Sequence, residues 1–253
     1  MTQTTALPLT ILVAGATGVI GSRLLPLLVA RGHCVFGTTR TPGKKVDLLT
    51  HAGATPVVVD VFDTAALRDA VAAIRPNVVV HQLTDLPRGL DPSRMEEGVR
   101  RNAQIRAEGT ANLMAAARAA GAHRIVAQSI AWAYAPGNEP FGEDDPLEEN
   151  AQGLRAISVG GVIALEHAVL GEAGIDGLVL RYGQLWGPGT GADTPDGKNM
   201  PLHVDDAAHA AALAVERGRP GIYNIASDST LLRTDKARQQ LGWAPSVHAQ
   251  IGQ

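Results

Sequence analysis

Short apolar runs rich in β-branched residues alternate along the chain with longer segments whose apolar positions recur at helical spacing. The runs at 9–15, 33–39, 55–60, 77–83, 123–129 and 177–183 have strand length. Several are apolar throughout, as strands covered on both faces are. The segments at 19–31, 43–52, 63–74, 93–120 and 154–173 carry the helical period. Asp63 is placed to cap the third helix and Gly121 to end the fourth. This alternation predicts an α/β fold, a Rossmann-type doubly wound parallel sheet whose strand C-terminal ends share one ligand-binding edge.

After residue 183 the pattern weakens. The stretch 183–201 is rich in glycine and proline and reads as loop, 203–218 as helix, 221–227 as a last strand and 234–243 as a last amphipathic helix. We therefore divide the chain into a dinucleotide-binding core, 1–183, and a reduced C-terminal substrate region, 184–253, interleaved with the last core elements.

The segment "VAGATGVIGSRLL" joins the first strand to the first helix. Gly15, Gly18 and Gly21, with Thr17, Val19 and Ile20 between them, fit a loop that brings backbone amides and a helix N-terminus to a pyrophosphate. The second strand ends in "GTTRTPGKK", without the acid that would take a ribose 2′-hydroxyl. Arg40 stands there instead, followed by Lys44 and Lys45. A guanidinium suits a 2′-phosphate, which favours NADP while leaving NAD open. The alternative is a solvated basic turn. At the end of the third strand Asp60 is placed to accept from the adenine amino group and Val61 to cover the ring, or Asp60 serves the turn.

Net charge is −3 and no basic run is present, so no nucleic-acid partner is expected. The single Cys34 excludes an internal disulfide and reads as a small core residue. The apolar runs are too short to span a membrane and no leader pattern opens the chain, so a cytoplasmic location is expected. No metal-ligand spacing appears.

The signatures "GATGVIG", "VVVDVFD", "VVVHQLT", "NAQIRAEGTANLMAAARAAGAHRIV", "LVLRYGQLWGPG", "HVDDAAHAAALA", "YNIAS" and "KARQQLGWAP" resemble those of the short-chain dehydrogenase/reductase superfamily. The likeness is to its extended and atypical branches, chiefly the NAD-dependent epimerase/dehydratase family. The resemblance implies a nicotinamide cofactor and a small-molecule substrate. It places Leu83 and Thr84 at the cofactor ribose, and Gly183, Gln184 and Leu185 beside the nicotinamide. It gives Ser129 a hydrogen bond to the substrate oxygen, and His203 a structural role. It also implies a homodimer through helices 93–120 and 154–173.

One departure concerns chemistry. The family transfers protons with Tyr-x-x-x-Lys on the helix after the fifth strand. Counting back from Glu166 puts Ser158 and Val162 at those positions, in "AISVGGVIALE". Tyr134, in the loop after the fifth strand, is the candidate substitute, with Ser129. Two readings follow: an NADP(H)-dependent oxidoreductase or epimerase/dehydratase-like enzyme using Ser129 and Tyr134, or a non-catalytic dinucleotide-binding sensor. Gly160 and Gly161 in the same stretch imply close packing on the sheet or on a partner helix.

Overall fold

The structure, a computed structural model, describes residues 7–195, 200–227 and 229–246. Seven parallel strands form the central sheet in the order β3-β2-β1-β4-β5-β6-β9. They are β1 (Thr10–Ala14), β2 (Cys34–Thr39), β3 (Thr55–Val58), β4 (Val78–His81), β5 (Arg124–Ile130), β6 (Asp176–Tyr182) and β9 (Gly221–Ile225). The order reverses between β1 and β4, and a crevice opens at such a switch point.

The sheet is apolar on both sides because helices cover both. Ile11 and Val13 pack with Leu24, Leu25 and Leu28 of α1 (Gly21–Ala30) and with Ala208 and Ala211 of α7 (Val204–Glu216). Their neighbours Leu12 and Ala14 point the opposite way, toward Leu67 of α3 (Thr64–Ile74), Leu113 of α5 (Thr110–Ala119) and Leu165 of α6 (Gly153–Leu170). A further helix, α2 (Lys44–His51), precedes β3. The cap at Asp63 forms, its carboxylate accepting from the Ala66 amide at 3.0 Å.

The predicted helix at 93–120 is α4 (Met95–Gln104) running into α5 through a π-turn at Ile105–Gly109. The helix at 234–243 winds as a π-turn over Ala237–Leu241. The segment 183–201 is not all loop: β7 (Gln184–Trp186) pairs in parallel with β8 (Pro201–His203). That pairing is between distant segments, which a local glycine-proline composition does not register. Cys34 is exposed rather than buried, because it opens β2 at the sheet margin and only the following residues are covered.

Gly161 and Gly160 have opposite surroundings. A Cβ on Gly161 would lie 2.9 Å from the Ala103 Cα, so α6 rests directly on α4; a Cβ on Gly160 would meet nothing within 4 Å. Gly161→Ala is expected to cost about 1–3 kcal/mol by overpacking. Gly160→Ala is expected to stabilise by about 0.5–1 kcal/mol through helix propensity. Thermal unfolding of the two variants, with Tm shifts of opposite sign, checks this.

The helix α6 also corrects the expectation that no apolar segment reaches membrane-spanning length. It has 18 residues and a mean hydropathy of 1.4. Its apolarity has another cause: it packs on β5, β6, α4 and α5, and it carries a buried carboxylate, Glu166, paired inside the protein.

Candidate active site

A cleft of about 200 Å³ opens at the switch point, lined by Gly15, Thr17, Gly18, Arg40, Lys45, Val61, Leu83 and Thr84 among others. These come from the C-terminal ends of β1, β2 and β4, the loop after β3 and the first turn of α2. The glycines act differently from one another. Gly15 has φ +84, and a Cβ there would lie 2.5 Å from the Gln82 backbone, so it permits the contact between β1 and β4. Gly21 lets α1 begin against the Gly15 carbonyl. Gly18 is exposed at the mouth of the cleft, the one of the three that leaves room for a ligand.

The residues fit a dinucleotide. The amides of Thr17, Val19 and Ile20 have no protein acceptor among the described residues, and they stand at the N-terminus of α1. Gln82 Oε1, on a cleft-lining residue, is buried without a partner among the described residues. Arg40 lies on the cleft wall with Lys45, and its guanidinium reaches Asp85 at 3.4 Å. Asp60 serves the turn through Oδ1, which takes the Phe62 amide at 3.0 Å, and Val61 lines the cleft. Gly183, Gln184 and Leu185 are absent from the cleft lining. Gly183 packs on the Met200 carbonyl, and Gln184 and Leu185 belong to the β7–β8 ribbon.

The structure places the two catalytic candidates away from the cleft lining. Ser129 is fully buried, and its hydroxyl donates to Glu166 Oε1 at 2.7 Å. Arg181 of β6 grips the same carboxylate with two nitrogens, Nε to Oε1 at 2.9 Å and Nη2 to Oε2 at 2.7 Å. Its guanidinium also covers the Tyr134 ring at 4.8 Å. Tyr134 stacks on Phe141, not on Trp132, and donates to Asn224 Oδ1 at 2.7 Å. Burial pushes its phenol up from the usual value, with Arg181 only partly opposing, so it is a poorer acid than a free tyrosine. Neither side chain lines the cleft. Both are parts of a buried clamp joining β5, α6, β6 and β9. Tyr134→Phe is expected to lower stability by about 1 kcal/mol, since Asn224 loses its donor, and to leave hydride transfer in place. Urea denaturation with steady-state rates on the same variant checks both statements.

Residue Ile130, at the end of β5, sits with Ala133, Ala151, Val159 and Val162 in an apolar cluster. Ser158 is buried beside it on α6. His81 is held neutral. Leu83 N–H donates to Nδ1 at 3.2 Å, so Nε2 carries the proton and faces Thr110 Oγ1 at 2.9 Å. Burial, with Arg106 nearby, lowers its pKa to about 4. His203 is structural as expected: it caps α7 through the Asp205 amide and its ring meets Trp186 edge-on at 4.5 Å. No cluster of three or more metal-ligating side chains occurs among the described residues.

The profile described as the NAD dependent epimerase/dehydratase family matches residues 11–202. The chain belongs to that family. It is 43% identical over 238 residues to a protein of Streptomyces sp. named 3-diazoavenalumate denitrifying reductase, covering 86% of this chain and 76% of that protein. It is 30% identical over 182 residues to a 3-beta-hydroxysteroid dehydrogenase of Mycolicibacterium neoaurum, covering 71% of this chain and 48% of the relative. The chain thus spans about three quarters of the first relative and about half of the second. Its fold matches the dTDP-glucose 4,6-dehydratase DesIV of Streptomyces venezuelae with NAD bound, at a TM-score of 0.75 and 19% identity over 94% of this chain and 92% of that one. Membership of this family, with a reductase at 43% identity, makes the chain an enzyme of the nicotinamide-dependent class.

Sequence reasoning missed Arg106, Arg181 and Asn224. A signal for one pair existed: Glu166 interrupts an apolar helix and Arg181 an apolar strand, and two opposite charges in two buried segments invite pairing.

Proposed function

We propose that the chain is an NADP(H)-dependent reductase that delivers hydride to an acceptor needing no proton from the protein. The observation behind this is the apolar cluster of Ile130, Ala133, Val159 and Val162, which occupies the region where the family's tyrosine and lysine would stand. Tyr134 is engaged elsewhere. Reduction of a ketone, epimerisation and dehydration each require a group that gives or takes a proton at the substrate. Loss of dinitrogen from an arenediazonium does not, and the relative at 43% identity is named for a denitrifying reduction of a diazo acid. When bound, the reduced nicotinamide supplies a hydride whose electron pair forms the new C–H bond, while the C–N pair leaves with N2. The protein's part is to hold the acceptor against the cofactor and to keep water from the reactive carbon, to which an apolar wall is suited.

Arg40 and Lys45 support NADP over NAD, since both cations line the cleft beyond β2. The proposal includes a small-molecule substrate, a cytoplasmic cofactor pool, and a homodimer through 93–120 and 154–173. In support of the last, α6 leaves Leu154 and Leu170 exposed at 40% and 39%. The test is turnover of 4-carboxybenzenediazonium with NADPH deuterated at C4, against a control without protein. One equivalent of N2 and a monodeuterated benzoate, from one face of the nicotinamide only, is expected. Absence of enzymatic deuterium transfer overturns the reading.

A further inference from the structure

The π-turn that joins α4 to α5 carries Arg106, and no role described so far uses it. Its neighbour Ile105 lines the cofactor cleft. The side chain is buried, at 5% exposure, and its charge is felt by both His81 at the end of β4 and Glu166 on α6. That brackets it between the end of β4 and α6, next in sequence to a residue of the cleft wall and itself behind the cleft lining. A π-turn inside a long helix re-aims one side chain at the expense of regular hydrogen bonding, and such turns concentrate at functional sites.

A buried guanidinium needs acceptors, and Arg106 lacks them. Among the described residues it makes no hydrogen bond and no ion pair within 4.0 Å. The carboxylate near it is already committed, because Glu166 holds Arg181 through both oxygens and takes the Ser129 hydroxyl as well. His81 is neutral. The pocket between these elements therefore holds two arginines and one carboxylate, with one positive charge in excess. Burial pulls the Arg106 pKa down to about 10, which leaves it charged at neutral pH. Its nitrogens are not among the fully enclosed unpartnered atoms, so they keep access to a water-reachable space. A cation with five donors, an unmatched charge and nitrogens that are not fully enclosed suits an anion with planar acceptors.

We propose that Arg106 binds the carboxylate of the substrate, so that the enzyme selects anionic aromatic acids and holds them beside the cofactor cleft, behind Ile105 of its wall. This deepens the reductase reading and rests on it for the word substrate; the binding itself does not depend on hydride transfer.

Two measurements separate the two. The first is calorimetric titration of unreactive benzoate into the NADP-loaded protein, as wild type, Arg106→Gln and Arg106→Lys. Affinity is expected to fall about 10- to 100-fold in Arg106→Gln and to recover in part in Arg106→Lys, with NADP affinity unchanged. Equal benzoate binding by wild type and Arg106→Gln overturns the proposal, as does a loss confined to NADP, which would make the cofactor the anion. The second compares 4-carboxybenzenediazonium with its methyl ester. The ratio of their kcat/KM values is expected to favour the acid in wild type and to collapse toward one in Arg106→Gln. If neither diazonium turns over, the reductase reading fails while the benzoate titration still decides the receptor. Stability guards against a trivial cause. An unpaired buried charge opposes folding, so Arg106→Gln is expected to raise Tm without ligand, and benzoate to raise it in wild type only. A lowered Tm would mark Arg106 as structural and overturn the proposal.

Discussion

Glu166→Ala is expected to destabilise the protein by about 3–5 kcal/mol, a large share of a typical domain's 5–15 kcal/mol. The carboxylate is 5% exposed and the Arg181 side chain 4%, so water cannot replace either partner. Removing it would leave Arg181 and Arg106 facing one another's field without a counter-charge, and Ser129 without an acceptor. Glu166→Gln should lie between, because it keeps one acceptor for Ser129 and loses the charge. Arg181 also packs on Tyr134, which reaches Asn224 of β9, so the damage should extend to the last strand. Urea denaturation gives the free energies. Hydrogen exchange on β5, β6 and β9 gives the extent, with the amides of β2 and β3 as the reference for a local effect.

The second large effect concerns the cofactor. Arg40→Ala is expected to lower kcat/KM for NADPH about 10- to 100-fold, as loss of a charge-assisted contact worth about 1.5–3 kcal/mol requires. NADH, without the 2′-phosphate, should change by no more than about 2-fold. Arg40 is half exposed and its contact to Asp85 is long at 3.4 Å, so the side chain is free to leave that partner for a phosphate. Lys45→Ala should add a smaller loss. Because both side chains reach solvent, the preference for NADPH should weaken as salt is raised. Parallel rates with the two cofactors at two ionic strengths check this. An equal fall for NADH would instead place Arg40 at the pyrophosphate or the adenine.

The cleft at the switch point was legible because its demands are local. A strand that turns at once into a helix requires its small residues within a few positions, and Gly15, Gly18 and Gly21 meet that demand in consecutive turns. The basic residues after β2 follow the strand directly. Even so, the reason for Gly15 was non-local: it makes room for the Gln82 backbone on β4. Asp60 read equally well as a ligand or as a turn residue, and its Oδ1 holds the turn.

The substrate half was illegible for a physical reason that Ser129 and Tyr134 illustrate. Along β5, Ile125 and Ala127 face α5 and α6, and Ser129 has the same parity. Alternation is written in the sequence, but which face receives the helix bearing Glu166 is not. Tyr134 lies in an irregular loop with no period to extrapolate, and its partners Phe141, Arg181 and Asn224 come from three other segments.

By itself the sequence determined the alternating elements, the parallel sheet and the glycine loop with its basic neighbour, because each is set by spacing within one strand–helix unit. It also carried the oddity of "AISVGGVIALE", where Ser158 and Val162 stand at the positions at which the family resemblance implies a proton-transfer pair. Tertiary structure decided what that oddity means. It turned the two hydroxyls inward to a carboxylate and an amide, closed an apolar wall over Val162, and left Arg106 charged, buried and without a partner among the described residues. Those outcomes depend on which side chains meet across β5, β6, β9 and α6, and pairing between distant segments is fixed only when the whole core packs.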